Sequence, residues 1–205
     1  MEHMDNSQIT QEQATRTSTK KSSGFLTNLH DIVFLVAGIL LVFSLLFRVV
    51  IVSGPSMNDT LIHGDWLLLV GNFLYNEPEH GDIIVASKDT YDDGAPIIKR
   101  VIAKEGQTVD IDFEKGVVFV DDVPLDEPYT LTPTTLYEGV AFPLTVEDGC
   151  VFVMGDNRNM SKDSRSLEIG QIDKREILGK AIFLLFPGNN DRKIKADFSR
   201  IGVLS

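Results

Sequence analysis

The chain has 205 residues, 43% of them hydrophobic, enough for one folded domain with a real core, alone or carried on an anchor. A formal net charge of −11, with no Lys/Arg cluster larger than a pair, repels polyanions and excludes nucleic acid as a partner. The single cysteine, Cys150, excludes an intramolecular disulfide and any multi-cysteine metal site, and its expected role is that of a small buried hydrophobe.

In chain order, residues 1–30 form a polar segment rich in Ser, Thr, Gln and charge without apolar periodicity, and this predicts a disordered cytoplasmic tail. Ile32 to Phe47 then runs without a charge, and continuing to Val52 adds only Arg48, which can snorkel at one end. At about 1.5 Å per residue that span matches a hydrocarbon core of roughly 30 Å, so residues 31–52 read as one transmembrane anchor. Arg16, Lys20 and Lys21 precede the span and only Arg48 lies close after it, which places the tail in the cytoplasm and residues 53–205 outside. A cleaved signal peptide and a buried core helix are the other readings of such a run.

At Val49 to Leu61 the apolar run gives way to small turn-forming residues. Gly54-Pro55 can bend the chain just before Ser56, and Met57 and Leu61 supply an apolar wall after it. Ser56 is a plausible nucleophile if a base stands within hydrogen-bond reach, and otherwise a turn cap. From Asp65 onward short β-rich runs are divided by turn residues: Trp66 to Val70, Asp82 to Ser87, Ile97 to Ala103, Thr108 to Phe113, Val117 to Val120, Cys150 to Met154 and Ile177 to Phe186. This predicts a mainly β domain, an antiparallel coiled sheet or barrel-like body that protects its edges. Pro124 to Pro143 is irregular and reads as a surface excursion.

Two further segments carry candidate chemistry. In Ile97 to Val101, strand alternation puts Lys99 between Ile97 and Val101 on one face and Arg100 on the other. An amine flanked this way is either a desolvated base or an edge lysine that snorkels into water. The loop Gly155 to Arg165 holds two aspartates and two arginines, each two residues from an opposite charge. Such a loop is either a fixed network able to hold Ser161 against a buried amine or a solvated turn with surface ion pairs. His3, His30, His63 and His80 are scattered and no phosphate loop exists, so neither a metal nor any other cofactor is expected.

The anchor, Ser56-Met57-Asn58-Asp59-Thr60-Leu61, Gly81 to Val85, Ile98-Lys99-Arg100-Val101-Ile102 and the Gly155 to Arg165 loop, in this order, resemble the bacterial type I signal peptidases, membrane-bound Ser-Lys proteases of the plasma membrane. The resemblance implies Ser56 as nucleophile, Lys99 as general base and Ser161 as the serine that orients the lysine. It implies Arg100, Asp156, Arg158, Asp163 and Arg165 as charged support. It also implies a substrate class: exported precursors with small side chains one and three residues before the cut, of Ala-x-Ala type, read by pockets built from Val50, Val52, Met57, Leu61 and Ile98. Asp59 stands where the family usually has proline, and Gly54 where some relatives have a serine, which leaves the Ser56 N–H as the surest oxyanion donor. A membrane-anchored β-domain that binds exported proteins without cutting them is the alternative.

Overall fold

The uncharged run after Asp31 folds as one helix, α1, over Asn28–Leu46, 19 residues or about 28 Å of rise, long and apolar enough to cross a membrane. The computed structural model describes residues 28–58, 60–189 and 196–204; most of the expected tail, residues 1–27, and Asp59 lie outside the described residues. The helix thus starts before Asp31 and ends at Leu46, not at Val52. Phe47-Arg48-Val49-Val50-Ile51 form strand β1 instead, paired with β2, Trp66–Gly71. Three of those five residues are β-branched, and their χ1 stiffness suits a pleated ladder better than a helix. The described residues divide into two compact units between Leu45 and Leu46.

In the second unit the remaining strands are β3 (Ile83–Ala86), β4 (Ile97–Lys104), β5 (Thr108–Asp112), β6 (Val117–Val120), β7 (Val123–Pro124), β8 (Leu144–Thr145), β9 (Cys150–Met154), β10 (Ile172–Asp173), β11 (Ile177–Phe186) and β12 (Gly202–Val203). All pairings are antiparallel. One sheet runs β1-β2-β11-β3-β4-β9-β10 with β12 on β11, and a smaller one runs β7-β6-β5-β8. The unit is therefore mainly β, with a curled antiparallel sheet, as its short β-rich runs divided by turn residues predict.

The curl explains why both faces of the large sheet are apolar. Leu67, Leu69, Ile83, Val85 and Ala181 gather with Val52, Met57 and Leu61 in one buried cluster. Ile84, Val101, Val151, Val153 and Ile177 form another. A third cluster joins the two sheets through Ile102, Phe152 and Met154 on one side and Val109, Ile111 and Val118 on the other. Register shifts within β4 and β11 mark bulges, which add local twist and help the sheet turn.

Candidate active site

Ser56 sits on the connection from β1 to β2, which is closed at its base by hydrogen bonds from Val52 N–H to Asp65 O (2.8 Å) and from Gly64 N–H to Val52 O (2.9 Å). Asp65 is fully buried and ties the loop down, accepting from Ile62 N–H (2.8 Å), Gly188 N–H (2.6 Å) and both terminal nitrogens of Arg200 (2.9 and 2.7 Å). Gly54 adopts φ +89°, a backbone conformation that leads the chain into the Pro55-Ser56 bend. Met57 and Leu61 are driven into the core on the other side, which leaves the Ser56 hydroxyl at the surface of a cleft. Among the described residues the Ser56 N–H has no hydrogen-bond acceptor.

In the strand order, β2 and β4 are separated by β11 and β3, so three steps of about 4.8 Å would keep their residues roughly 14 Å apart in a flat sheet. The curl and the loop close that gap: Lys99 Nζ donates to Ser56 Oγ at 3.0 Å and to Ile98 O at 3.1 Å. Lys99 is 5% exposed. Burial disfavours its ammonium form and pulls its pKa down to about 8; Asp163 and Glu138 work against the shift. At that value a usable fraction of the amine is neutral near physiological pH, so this pair can transfer a proton from serine to lysine.

The cleft, about 660 Å³, is lined by Val50, Val52, Met57 and Ile98 together with Ser56 and Lys99. Leu61 departs from expectation. It is wholly buried in the core cluster and is not among the lining residues, because the turn after Met57 points it inward.

The Gly155 to Arg165 loop packs against the Pro55-Ser56 bend. Asn157 N–H donates to Ser56 O at 3.0 Å and Asn157 Nδ2 to Pro55 O at 3.1 Å. Gly155 permits this approach, since a Cβ there would lie 2.2 Å from Ser161 Oγ and 2.5 Å from Ser56 O. The charges are buried, as a fixed network requires, but only one pair follows the spacing of two residues: Arg165 Nε and Nη2 each reach Asp163 at 2.8 Å. Asp156 instead takes a fork from Arg100 (Nε at 2.9 Å, Nη2 at 2.8 Å), and Arg158 Nη1 pairs with Glu127 at 2.7 Å. The Asp156 and Arg158 side chains diverge because one meets Arg100 of β4 and the other Glu127 and Thr134 of the 124–143 excursion. Ser161 Oγ is buried and accepts or donates no hydrogen bond among the described residues; Lys99 Nζ reaches Ser56 and Ile98 rather than Ser161.

The excursion is correspondingly less peripheral than its composition predicts. Glu127 and Thr134 hold Arg158, and the Tyr129 ring lies 4.1 Å beneath the Arg100 guanidinium. These bracing residues, with Asn157, Asp65 and Arg200, escape sequence reasoning because their partners lie tens of residues away; only Asn157 stands inside a segment whose polarity singles it out. Among the described residues no group of three or more His, Cys, Asp or Glu is placed to hold a metal ion.

A family model described as signal peptidase, peptidase S26, matches residues 26–186, which takes in the Ser56 loop, β4 and the Gly155 to Arg165 loop together. The chain belongs to the signal peptidase family. It is similar to signal peptidase I of Bacillus licheniformis, 33% identical over 184 residues that cover 86% of this chain and 96% of that one. It is also similar to signal peptidase I T of Bacillus subtilis, 33% identical over 188 residues that cover 88% and 95%. A solved signal peptidase I structure from Enterococcus faecalis aligns with 51% of this chain and 96% of its own at 27% identity and a TM-score of 0.43. Within the matched span, Ser56 and Lys99 stand in hydrogen-bond contact at one cleft.

Proposed function

We propose that the chain is a membrane-anchored serine endopeptidase that removes N-terminal signal peptides from exported precursor proteins, with Ser56 as nucleophile and Lys99 as general base. The observation that carries the reading is the 3.0 Å contact between a buried lysine amine and a serine hydroxyl at one cleft, in a chain of the signal peptidase family.

Ser56 Oγ attacks the scissile carbonyl carbon while neutral Lys99 Nζ takes its proton, and the Ser56 N–H donates to the oxyanion that forms. The lysine proton then passes to the leaving nitrogen as the C–N bond breaks, which frees the mature chain and leaves the signal peptide esterified to Ser56. Water, deprotonated by the same lysine, hydrolyses that ester. Ser161, whose hydroxyl has no hydrogen-bond partner among the described residues, orients the Lys99 amine once the reaction is under way, and Arg100, Asp156, Arg158, Asp163 and Arg165 keep the loop that carries Ser161 rigid. Val50, Val52, Met57 and Ile98 form shallow apolar pockets that accept the small side chains of Ala-x-Ala sequences and reject larger ones by clash.

The anchor is α1, which lies in the plasma membrane with residues 1–27 in the cytoplasm and the β unit outside, in keeping with Arg16, Lys20 and Lys21 ahead of the helix. The deciding experiment incubates the detergent-solubilised chain with a precursor whose signal peptide ends in Ala-x-Ala, beside Ser56→Ala and Lys99→Ala. Cleavage by the parent alone is expected. Cleavage that survives Ser56→Ala overturns the assignment.

A further inference from the structure

The cleft carries a cation that the steps above do not use. In the loop after β9 exposure alternates: Ser161 and Asp163 are buried, whereas Met160 and Lys162 face outward and line the cleft that holds Ser56. Lys162 Nζ lies 5.9 Å from the centroid of the Tyr91 ring, and Tyr91 is itself packed against the buried cluster around Ile84 and Val101. The same ammonium reaches Glu168 at 2.7 Å, in a pair whose lysine is 40% and whose glutamate is 62% exposed. An ammonium has three donors, so this open pair leaves room for a second acceptor in the cleft.

The register of a bound substrate decides what that acceptor is. Side chains one and three residues before the cut share a face only in an extended chain, and the residue between them then points to the opposite face. β4 offers an edge for such a chain: Ile97 to Lys99 pair with β3 on one side, while the ladder with β9 begins only at Arg100 and Met154. With the two small side chains turned into the pockets of Val50, Val52 and Ile98, the side chain two residues before the cut is turned to the rim. Tyr91 and Asp92 lie just ahead of β4 and line the same cleft, so the contact with Tyr91 puts Lys162 at the end that takes residues before the cut.

We propose that Lys162 is a specificity-determining residue: its ammonium meets the side chain two residues before the scissile bond and favours an acidic residue there over a basic one. The inference rests on the Ser56–Lys99 reading and the Ala-x-Ala substrate class, and adds a charge preference at x. Because the Lys162–Glu168 pair is exposed and Asp92 adds negative charge to the same rim, the preference is small, roughly twofold to fivefold in kcat/KM.

The test measures kcat/KM of the full detergent-solubilised chain on precursors whose signal peptides end in Ala-Glu-Ala, Ala-Gln-Ala and Ala-Lys-Ala, for the parent, Lys162→Met, Lys162→Glu and Ser56→Ala. The parent is expected to cleave the Glu precursor roughly two to five times better than the Lys precursor, Lys162→Met to lose that preference and Lys162→Glu to reverse it. At about 1 M salt, where charges are screened within about 3 Å, the parent's ratio should fall toward one. A Glu-to-Lys ratio that is the same in the parent and both Lys162 variants overturns the proposal. So does a Lys162-dependent charge preference found only when Glu and Lys are placed at the first residue after the cut. If the parent cleaves none of the precursors, or Ser56→Ala cleaves them as well as the parent does, it is the Ser56–Lys99 reading that fails.

Discussion

Lys99 carries opposite costs for folding and for chemistry. Its pKa falls from 10.5 in the free side chain to about 8 in the folded chain, so between those values the folded state binds fewer protons than the unfolded one. Stability from this group therefore rises with pH across that window, and the full penalty, about 3 kcal/mol, is present below pH 8. Lys99→Met is expected to melt higher than the parent at pH 7, with the gap shrinking as pH rises toward 10; an equal melting temperature at pH 7 would show that burial does not destabilise the ammonium. For activity the same value predicts a rising limb of kcat/KM centred near pH 8. Lys99→Arg, which keeps the charge but cannot release its proton, should be as inactive as Lys99→Ala. Substantial cleavage by Lys99→Arg would require another base. At Ser161, a buried hydroxyl without a hydrogen-bond partner among the described residues, replacement by Ala should lower turnover and leave the melting temperature nearly unchanged. Unchanged turnover would reduce Ser161 to a space-filler beside Gly155.

At the scale of elements, the site is two loops held against each other by groups the loops do not themselves supply. Gly155 is the contact point, and the Cβ of Gly155→Ala would have to displace Ser161 or the Ser56 backbone. A shift of about 1 Å at a nucleophile costs on the order of 100-fold in rate, so this variant should lose activity far out of proportion to its loss of stability. The comparison of kcat with melting temperature decides it. Arg158 is wholly buried with Glu127 as its anionic partner. Glu127→Ala should cost about 3 kcal/mol or more, because it strands a buried cation, and chemical denaturation measures that loss. The excursion supplies this brace although its sequence looks like loop: Pro and Thr give it no periodicity, and its anchoring contacts are each made by a single residue.

For the whole molecule, the proposed function requires the apolar helix to anchor the chain in a membrane. If the proposed orientation holds, protease added outside intact cells should degrade the β unit and spare the tail ahead of Lys21. The reverse pattern would invert the topology. The unit itself is closed by chain-distant ties: Arg200, near the C-terminal end, forks onto Asp65 at the base of the Ser56 loop, and β12 pairs with β11. Removal of either tie should loosen the nucleophile loop before it unfolds the sheets.

Sequence alone determined strands β2 to β6, β9 and β11, the apolar span, and the two side chains proposed to react, because β-rich runs, hydropathy and a local motif are written in neighbouring residues. It misplaced the end of the helix, since Phe47 to Ile51 is apolar in either conformation and only pairing with β2 decides for strand. It also paired Asp156 with Arg158, where the tertiary structure gives each a different partner. What only the tertiary structure decided is the 3.0 Å between Lys99 and Ser56, the burial that lowers the lysine pKa, and the distant carboxylates at Glu127 and Glu138 that complete the loop. The physical reason is common to all of these: desolvation and ion pairing depend on which surfaces a curled sheet brings face to face, and no local pattern in the chain encodes that curl.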